Sequence, residues 1–338
     1  MMRPLRTAIA GFGSIADTLS VDQKMRKHFK YISHAEVLSD HPAFDWGAVL
    51  DPSVEARNRA TQNWGIGFCY ESPYDLAKEY DPEILVITAP PESHLEIVEA
   101  CPNIKGILIE KPLGNVDDDG KALAAIGEKR GIPIQVNYWR RAVPDFIRLS
   151  EHDLRKRVGK PQAIFGLYGN GLRNNGSHLI DFARFLFGEV ASVRALGTPE
   201  KITKDGFPDD VNVGFYMKLI NNLFITIMPL NFTEYREVGI DIWGTKGRLT
   251  ICQESLLLQY FPKQLNRGLE DEYEISSDLP TVVQPDTMNS LKNMYDNFVE
   301  VITEKTTLVS SIQSALVTER VISAIHDSAH SGHIEIEV

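Results

Sequence analysis

The sequence predicts a two-part α/β protein: a doubly wound parallel sheet over residues 1–138, then an α+β part over residues 139–338 on a mostly antiparallel sheet. Three observations predict it. Short apolar runs alternate with helical patterns as far as residue 138, a glycine-rich turn follows the first run, and beyond about residue 160 the apolar period changes to two. Strand–helix alternation gives parallel strands covered on both faces, whereas period two suits strands with one buried face. A chain of 338 residues also exceeds what one core usually supports.

In the first part, Thr7–Ala10, Phe44–Leu50, Ile84–Thr88, Gly106–Glu110 and Ile132–Asn137 are short and apolar, so each is expected as a strand. Between them Val54–Trp64, Ser93–Ala100 and Val116–Lys129 have helical spacing. In the second part Val211, Val213, Phe215 and Met217 alternate with Asn212, Gly214, Tyr216 and Lys218. Similar pieces follow at Leu223–Met228, Val238–Trp243 and Arg248–Cys252, with Asn221-Asn222 and Gly244-Thr245-Lys246-Gly247 as turn signals. Helical stretches at Met288–Glu304 and Ser311–Ala329 follow.

The net charge of −11 argues against a nucleic-acid partner, which requires a basic face. Arg3 and Arg6 before the apolar stretch Ala8–Ile15 imitate a secretion signal, but glycines interrupt that stretch and Asp17 closes it. No apolar run approaches the roughly 18 residues that span a bilayer. Cys69, Cys101 and Cys252 lie far apart with no Cys-x-x-Cys companion, so reduced thiols without a metal cluster are expected, in a cytoplasmic protein with no membrane association.

Gly11-Phe12-Gly13-Ser14-Ile15-Ala16 follows the first strand and precedes an expected helix. Gly11 permits the tight turn, Gly13 lets a pyrophosphate approach the backbone, and small Ala16 allows close helix packing. The helix start then offers unpaired N–H groups to phosphates. The first part is thus expected to be a Rossmann dinucleotide-binding domain. Asp51, ending the second strand, is the candidate for the adenosine ribose, and its charge favours NAD while NADP stays open. The alternative is an Asp-Pro turn residue. Forty residues separate Gly11 from Asp51, against a usual spacing of about 20, which predicts an insertion. Lys24, Arg26, Lys27, His28 and Lys30 fall in it, either as a solvated face or as contacts to a phosphate or charged substrate.

Ile107-Leu108-Ile109-Glu110-Lys111-Pro112 places a lysine at a strand's carboxyl end, where open α/β sheets hold their chemistry. Partial desolvation there lowers a lysine's pKa toward the range useful for proton transfer. The bland alternative is a loop lysine with a solvated head.

Taken in order, the glycine loop, Thr88-Ala89-Pro90-Pro91-Glu92-Ser93-His94, Glu110-Lys111-Pro112 and Asn174-Asn175-Gly176-Ser177-His178-Leu179-Ile180-Asp181 resemble the glucose-fructose oxidoreductase, inositol dehydrogenase and rhizopine catabolism (Gfo/Idh/MocA) family. The resemblance covers nearly the whole chain, including Ser328-Ala329-His330-Ser331-Gly332. It implies hydride transfer between a nicotinamide and a sugar, cyclitol or nucleotide-sugar carbon. It also implies a carboxyl-terminal domain with an open sheet used for homodimer or homotetramer contacts. Carried over, Gly11, Phe12, Gly13, Ser14, Ile15 and Asp51 would hold the dinucleotide with Ala89, Pro90 and His94. Glu110 and Lys111 would face the nicotinamide, Asn137 and Arg141 the cleft, and His178 would support proton transfer.

The family pattern usually has Asp-x-x-x-His, and here Asn174 stands at the aspartate position. An amide cannot take a proton or raise an imidazole's pKa as a carboxylate does, but it can orient His178 or hold a substrate hydroxyl. Lys111 is therefore the first choice for the proton-handling group. By itself His178 also fits a structural histidine, and His94 a packing or hydrogen-bonding residue. Asp181 is expected in a surface or capping ion pair with Arg184, and Asn170 and Arg173 either contact substrate or shape a loop. The leading expectation is an NAD-dependent dehydrogenase. A redox-neutral sugar enzyme with retained NAD and a non-catalytic nucleotide-dependent sensor are the alternatives.

Overall fold

The computed structural model describes residues 3–114, 116–202, 209–276, 278, 280–304 and 306–338. The chain forms two units, Met1–Ala142 with Thr287–Leu316, and Val143–Asp286 with Val317–Val338. By its contacts Thr287–Leu316 groups with the first unit, although it follows the boundary expected at 138/139. Its helix Ser290–Glu304 buries Tyr295 and Phe298 among Ile9, Val86 and Leu108 of the first unit. Periodicity shows that this helix buries a face, but it cannot say which sheet receives it.

The first unit is a six-stranded parallel sheet of β1 (Leu5–Ala10), β2 (Phe44–Leu50), β3 (Phe68–Tyr70), β4 (Ile84–Ile87), β5 (Gly106–Ile109) and β6 (Ile134–Val136), in the order β3-β2-β1-β4-β5-β6. Ala8, Leu85, Ile107 and Ile109 pack into one core, and Ile9, Val86 and Leu108 of the same strands into another. Both faces are covered, which explains the unbroken apolar runs. Burying each such Leu, Ile or Val stabilises by about 1.5–3 kcal/mol. The short β3 carries too few residues for a periodic signal.

Helices α1 (His34–Asp40), α2 (Val54–Trp64), α3 (His94–Ala100) and α4 (Lys121–Arg130) connect these strands. Ser53 caps α2 by accepting from Ala56 N–H, and left-handed Gly65 ends it. The expected helix Val116–Lys129 is a π-helical turn, Val116–Gly120, running into α4.

The helix expected directly after the glycine loop is interrupted. Asp17 N–H bonds to Gly13 O as in a first turn, but the next regular turn is 3-10, Thr18–Val21, and α1 starts only at His34. His34 N–H then donates to Ile15 O at 3.1 Å and Ala35 N–H to Ala16 O at 2.9 Å. Each pair is 19 positions apart where a continuous helix has four, so 15 residues are inserted within one turn. Removing them reduces the Gly11–Asp51 spacing from 40 to 25, close to the usual value. A capping box between Ser33 and Glu36 restarts the helix.

The second unit is a ten-stranded sheet of β7 (Pro161–Tyr168), β8 (Val190–Lys201), β9 (Val211–Leu219), β10 (Phe224–Pro229), β11 (Gly239–Gly244), β12 (Gly247–Cys252), β13 (Leu257–Leu265), β14 (Tyr273–Ile275), β15 (Thr281–Val283) and β16 (Ile336–Glu337). Its order is β14-β13-β12-β11-β7-β10-β9-β8-β16, with β15 beside β13. Among these pairings only β7–β10 is parallel. Val213, Phe215 and Met217 are buried as the alternation requires, while Phe165, Phe224 and Trp243 stay exposed.

Helix α5 (Ser177–Phe187) belongs to this unit, with α6 (Ser290–Glu304) in the first and α7 (Ile312–His330) continuing from the first into the second. The Asp181–Arg184 pair on α5 is not the surface contact expected. Both side chains are buried, 3.7 Å apart, with Thr318 donating to Asp181 and accepting from Arg184, and Arg184 also donating to Glu189. Buried charges need this many partners. Among the described residues no helix is long and apolar enough to cross a membrane.

Candidate functional site

The carboxyl ends of five neighbouring strands, β2, β1, β4, β5 and β6, bring the first unit's candidate residues to one edge of its sheet. Gly11 leaves β1 with φ +88°, and a Cβ there would stand 2.4 Å from Ala89 N. Both conformation and space therefore demand glycine. Gly13 differs: a Cβ there would meet no protein atom within 4 Å, so the fold itself does not require glycine. Unobstructed backbone at that point fits a dinucleotide's pyrophosphate.

Asp51 ties the loop to β2. Its Oδ2 accepts from Phe12 N–H at 2.6 Å and its Oδ1 from Ser53 N–H at 2.8 Å. The Ser53 bond is the turn role the Asp-Pro alternative expected, the Phe12 bond is a structural duty the sequence did not reveal, and each oxygen keeps a second lone pair for a ribose hydroxyl. Phe12 is fully buried against Trp46. Asp17 is a further missed residue: buried, it accepts from Arg59 Nε at 3.1 Å and Trp64 Nε1 at 2.9 Å, while Arg59 also donates to Phe12 O at 2.9 Å. Ser14 is exposed and Ile15 half-buried in the turn between them.

After β4, Thr88 donates to Gly11 O, and His94 Nε2 donates to Ala89 O at 2.9 Å, fixing the Ala89-Pro90 turn. Burial lowers the His94 pKa, so the ring stays neutral with Nδ1 unprotonated. Its packing reading is correct in geometry, at the edge where a cofactor role was also expected.

At the end of β5, Glu110 Oε1 accepts from His34 Nε2 at 2.9 Å and from Asn137 Nδ2 at 2.6 Å. Burial opposes the carboxylate's charge, but the His34 ring, the Asn137 amide and the neighbouring Lys111 ammonium outweigh it and hold the pKa below the usual value. His34 is fully buried, and its Nδ1 lies 2.6 Å from the Tyr295 hydroxyl. Burial, then the Glu110 charge, push the Tyr295 phenol well above its usual pKa. A protonated phenol donating to Nδ1 leaves Nε2–H as the donor to Glu110, which assigns the tautomer. Lys111 follows Glu110, half-buried. Neither His34 nor Tyr295 carried a sequence signal, since they lie 76 positions before and 185 after Glu110.

Asn137 N–H donates to Ile109 O at 3.0 Å, so the end of β6 sets its side chain against Glu110, and its Oδ1 is buried with no hydrogen-bond partner among the described residues. An orphan acceptor beside the Glu110 carboxylate suits a ligand N–H or O–H. Arg141 lies on the 3-10 turn Trp139–Ala142 and is half-buried. The insertion packs on that turn, Phe29 edge-on to Trp139 with centroids 5.6 Å apart. Of its basic run, Arg26 is committed to Glu36 and Lys30 lies over the Tyr31 ring, while Lys24, Lys27 and His28 are exposed. The solvated-face reading accounts for most of the run.

In the second unit β7 leads through left-handed Asn170 into a π-helical turn, Gly171–Gly176, that carries Arg173, Asn174 and Asn175 and runs into α5 and His178. Buried Asp210 holds this turn. Its Oδ1 accepts from Arg173 N–H and its Oδ2 from Asn174 N–H, both at 3.0 Å, and Val211 N–H adds a third bond at 2.9 Å. Burial raises the Asp210 pKa despite these bonds. Gly171, φ +101°, passes so close that a Cβ would fall 2.0 Å from Asp210 Oδ2. Arg173 is exposed, and Asn174 and His178 are half-buried. Asp210 was missed because its contacts are to backbone amides 36 and 37 positions away.

Comparison with known proteins agrees with the order of the two parts along the chain. Residues 160–338 match the GFO_IDH_MocA oxidoreductase family's C-terminal alpha/beta domain, and residues 5–138 its NAD-binding Rossmann fold. The NAD⁺-dependent scyllo-inositol 2-dehydrogenase of Bacillus subtilis is 25% identical over 213 residues, 58% of each chain. The chain thus spans about three fifths of that relative's length. The WlbA dehydrogenase of Chromobacterium violaceum, solved with NADH and UDP-GlcNAcA, superposes with TM-score 0.74 at 17% identity over 100% of this chain and 96% of that one. A super-repressor mutant of Gal80p from Saccharomyces cerevisiae superposes with TM-score 0.76 at 16% identity, covering 99% and 98%. At such identities these structures share the fold. With both domain matches in the expected order, the chain belongs to the GFO_IDH_MocA oxidoreductase family and carries its NAD-binding Rossmann domain.

Proposed function

We propose that the protein is an NAD-dependent dehydrogenase acting on a CH–OH carbon of a sugar, cyclitol or nucleotide sugar. The observation that carries this reading is the alignment of the glycine loop, the Ala89–His94 turn, Glu110-Lys111 and Asn137 along one carboxyl edge of the sheet. Bound NAD supplies the hydride acceptor. Gly11, Phe12, Gly13, Ser14, Ile15 and Asp51 bind the dinucleotide, with Ala89, Pro90 and His94 shaping the adjacent turn.

Lys111 Nζ, as the neutral amine, takes the substrate hydroxyl proton while the C–H bond breaks, leaving a carbonyl product and an ammonium. Glu110 orients that group, and the Asn137 Oδ1 acceptor positions a ligand N–H or O–H. In the second unit His178, Asn174 and Arg173 are the candidate substrate-binding side chains, and in the first unit Arg141 is. Relatives named for inositols and a fold neighbour solved with a nucleotide sugar motivate the substrate class. The exposed faces of Phe165, Met228 and Trp243 on the second sheet suit self-association, and a cytoplasmic location is part of the proposed reading.

The test is NADH formation from NAD with scyllo-inositol, free hexoses and UDP-sugars. Turnover of one class with a clear preference supports the dehydrogenase. Asn174 favours a second reading, a nucleotide-dependent sensor, which predicts NADH binding without turnover across that panel. NAD retained through purification, with glycoside cleavage and no net NADH, identifies the redox-neutral enzyme instead.

A further inference from the structure

His34 has three anchors. Its backbone N–H donates to Ile15 O in the glycine loop, its Nδ1 meets Tyr295 of α6 at 2.6 Å, and its Nε2 meets Glu110 of β5 at 2.9 Å. The ring is fully buried, and Tyr295 is fully buried against Phe44, edge-on with centroids 5.5 Å apart. Stability does not call for such a chain, because apolar residues of similar volume are often neutral or better at buried charged sites. What the chain accomplishes is geometric: it brings a fixed donor to the single carboxylate preceding Lys111. The insertion contributes, since Glu36, which closes the capping box beside His34, also accepts from Ile32 N–H and Arg26.

We propose that His34 and Tyr295 are positioning residues that hold the Glu110 carboxylate in place beside Lys111, so that the charge of Lys111 is set from α1 and α6. The proposal rests on the reading of Lys111 as the proton-handling group. The groups facing Glu110 are His34 from α1, Asn137 from β6 and Lys111 from its own strand end, with Tyr295 behind His34. Without His34 the burial of Glu110 is offset only by the Asn137 amide and Lys111, so its carboxyl takes up a proton more readily and Lys111 has a weaker anionic neighbour.

Competitive acetylation of the full chain with acetic anhydride across pH, read on the Lys111 peptide by mass spectrometry, tests this without cofactor or substrate. Glu110→Gln and His34→Ala should each lower the pH midpoint of Lys111 labelling by about one pH unit. The double variant should add nothing to either. His34→Gln, which keeps an amide N–H directed at Glu110, should restore most of the midpoint, and Tyr295→Phe should fall between. A merely structural histidine would lower the melting temperature and leave the midpoint unmoved, and that result overturns the proposal. Should His34→Ala not fold, Tyr295→Phe decides by the same criterion, since it removes one oxygen and keeps the ring. Unchanged turnover in Lys111→Ala would sink the reading of Lys111 while leaving the labelling result standing.

Discussion

At the end of β5 a half-buried carboxylate precedes a lysine, and its partners are side chains. In the turn before α5 the carboxylate expected four residues ahead of His178 is an amide, Asn174, and the buried carboxylate that is present, Asp210, is committed to three backbone N–H groups. The first arrangement places a charge next to a titratable group. The second uses a charge to hold a turn in shape. A motif residue therefore means little until its partners are known, and the difference is why the proposed function puts proton chemistry on Lys111 and a binding role on the Asn174–His178 segment. The largest effect should follow that assignment: Lys111→Ala should lower turnover by about 10²–10⁴-fold, the usual worth of general acid–base catalysis, with NADH affinity nearly unchanged. His178→Ala should cost less, about tenfold. Steady-state kinetics of the two variants on one substrate would reverse the comparison if His178→Ala proved the worse.

The two loop glycines at β1 sharpen the same distinction between shape and binding. Gly11→Ala combines a left-handed φ with a Cβ driven into the Ala89 backbone, so a loss of about 3 kcal/mol or outright misfolding is expected in thermal or denaturant unfolding. Gly13→Ala meets no protein atom, so stability should stay within about 0.5 kcal/mol while NADH binding weakens, measured by fluorescence titration. Equal stability losses at both would remove the argument that Gly13 is kept for a ligand.

Asp210→Asn tests the second region. One oxygen becomes an N–H₂ facing an amide donor, leaving that amide unpaired at a cost of about 1–3 kcal/mol. The sign with pH is distinctive. Because burial raises the Asp210 pKa, its contribution is full below the unfolded value and is lost as pH rises through the folded one. Asp210→Asn should remove that component, so wild type and variant converge in stability toward higher pH. Divergence instead would mean that the three N–H bonds, and not burial, dominate the group.

Much of this was legible in the sequence. Strand–helix alternation and the Gly11–Ala16 loop gave the first sheet, and period two in Val211–Met217 gave the antiparallel character of the second. The doubled Gly11–Asp51 spacing announced the insertion, although only the His34–Ile15 and Ala35–Ala16 bonds show that it splits a single helical turn. What stayed hidden depends on contacts distant in sequence. Tyr295 packs in the first unit though it lies near the end of the chain, and His34, Asp17 and Asp210 act through two or three hydrogen bonds that leave no periodic trace. The Asp181–Arg184 spacing revealed a pair but not its burial, because i,i+3 geometry is the same on either face of a helix.

The smallest expected effect comes from a control within the first sheet. Glu83, preceding β4, is as buried as Glu110 is central, but it lies at the opposite end of the strands and is held by Arg3 at 2.7 Å, Lys105 at 2.7 Å and Arg6 N–H at 3.1 Å. The Arg3 hydrogen bond, against the cost of burial and with help from Lys105, holds its carboxyl down at about 2. A depressed carboxylate stabilises the fold above its unfolded value of 4.5 and loses that contribution as pH falls toward 2. Arg3 and Lys105 are more than half exposed, so solvent screening reduces the contribution to about 1 kcal/mol near neutral pH. Glu83→Gln keeps an acceptor for Arg6 N–H and removes the charge. It should therefore cost that amount near neutrality, converge with wild type as pH approaches 2, and leave the Lys111 labelling midpoint where it was. A shift of that midpoint would show that charge anywhere on the sheet tunes Lys111, and the special standing of Glu110 would be lost.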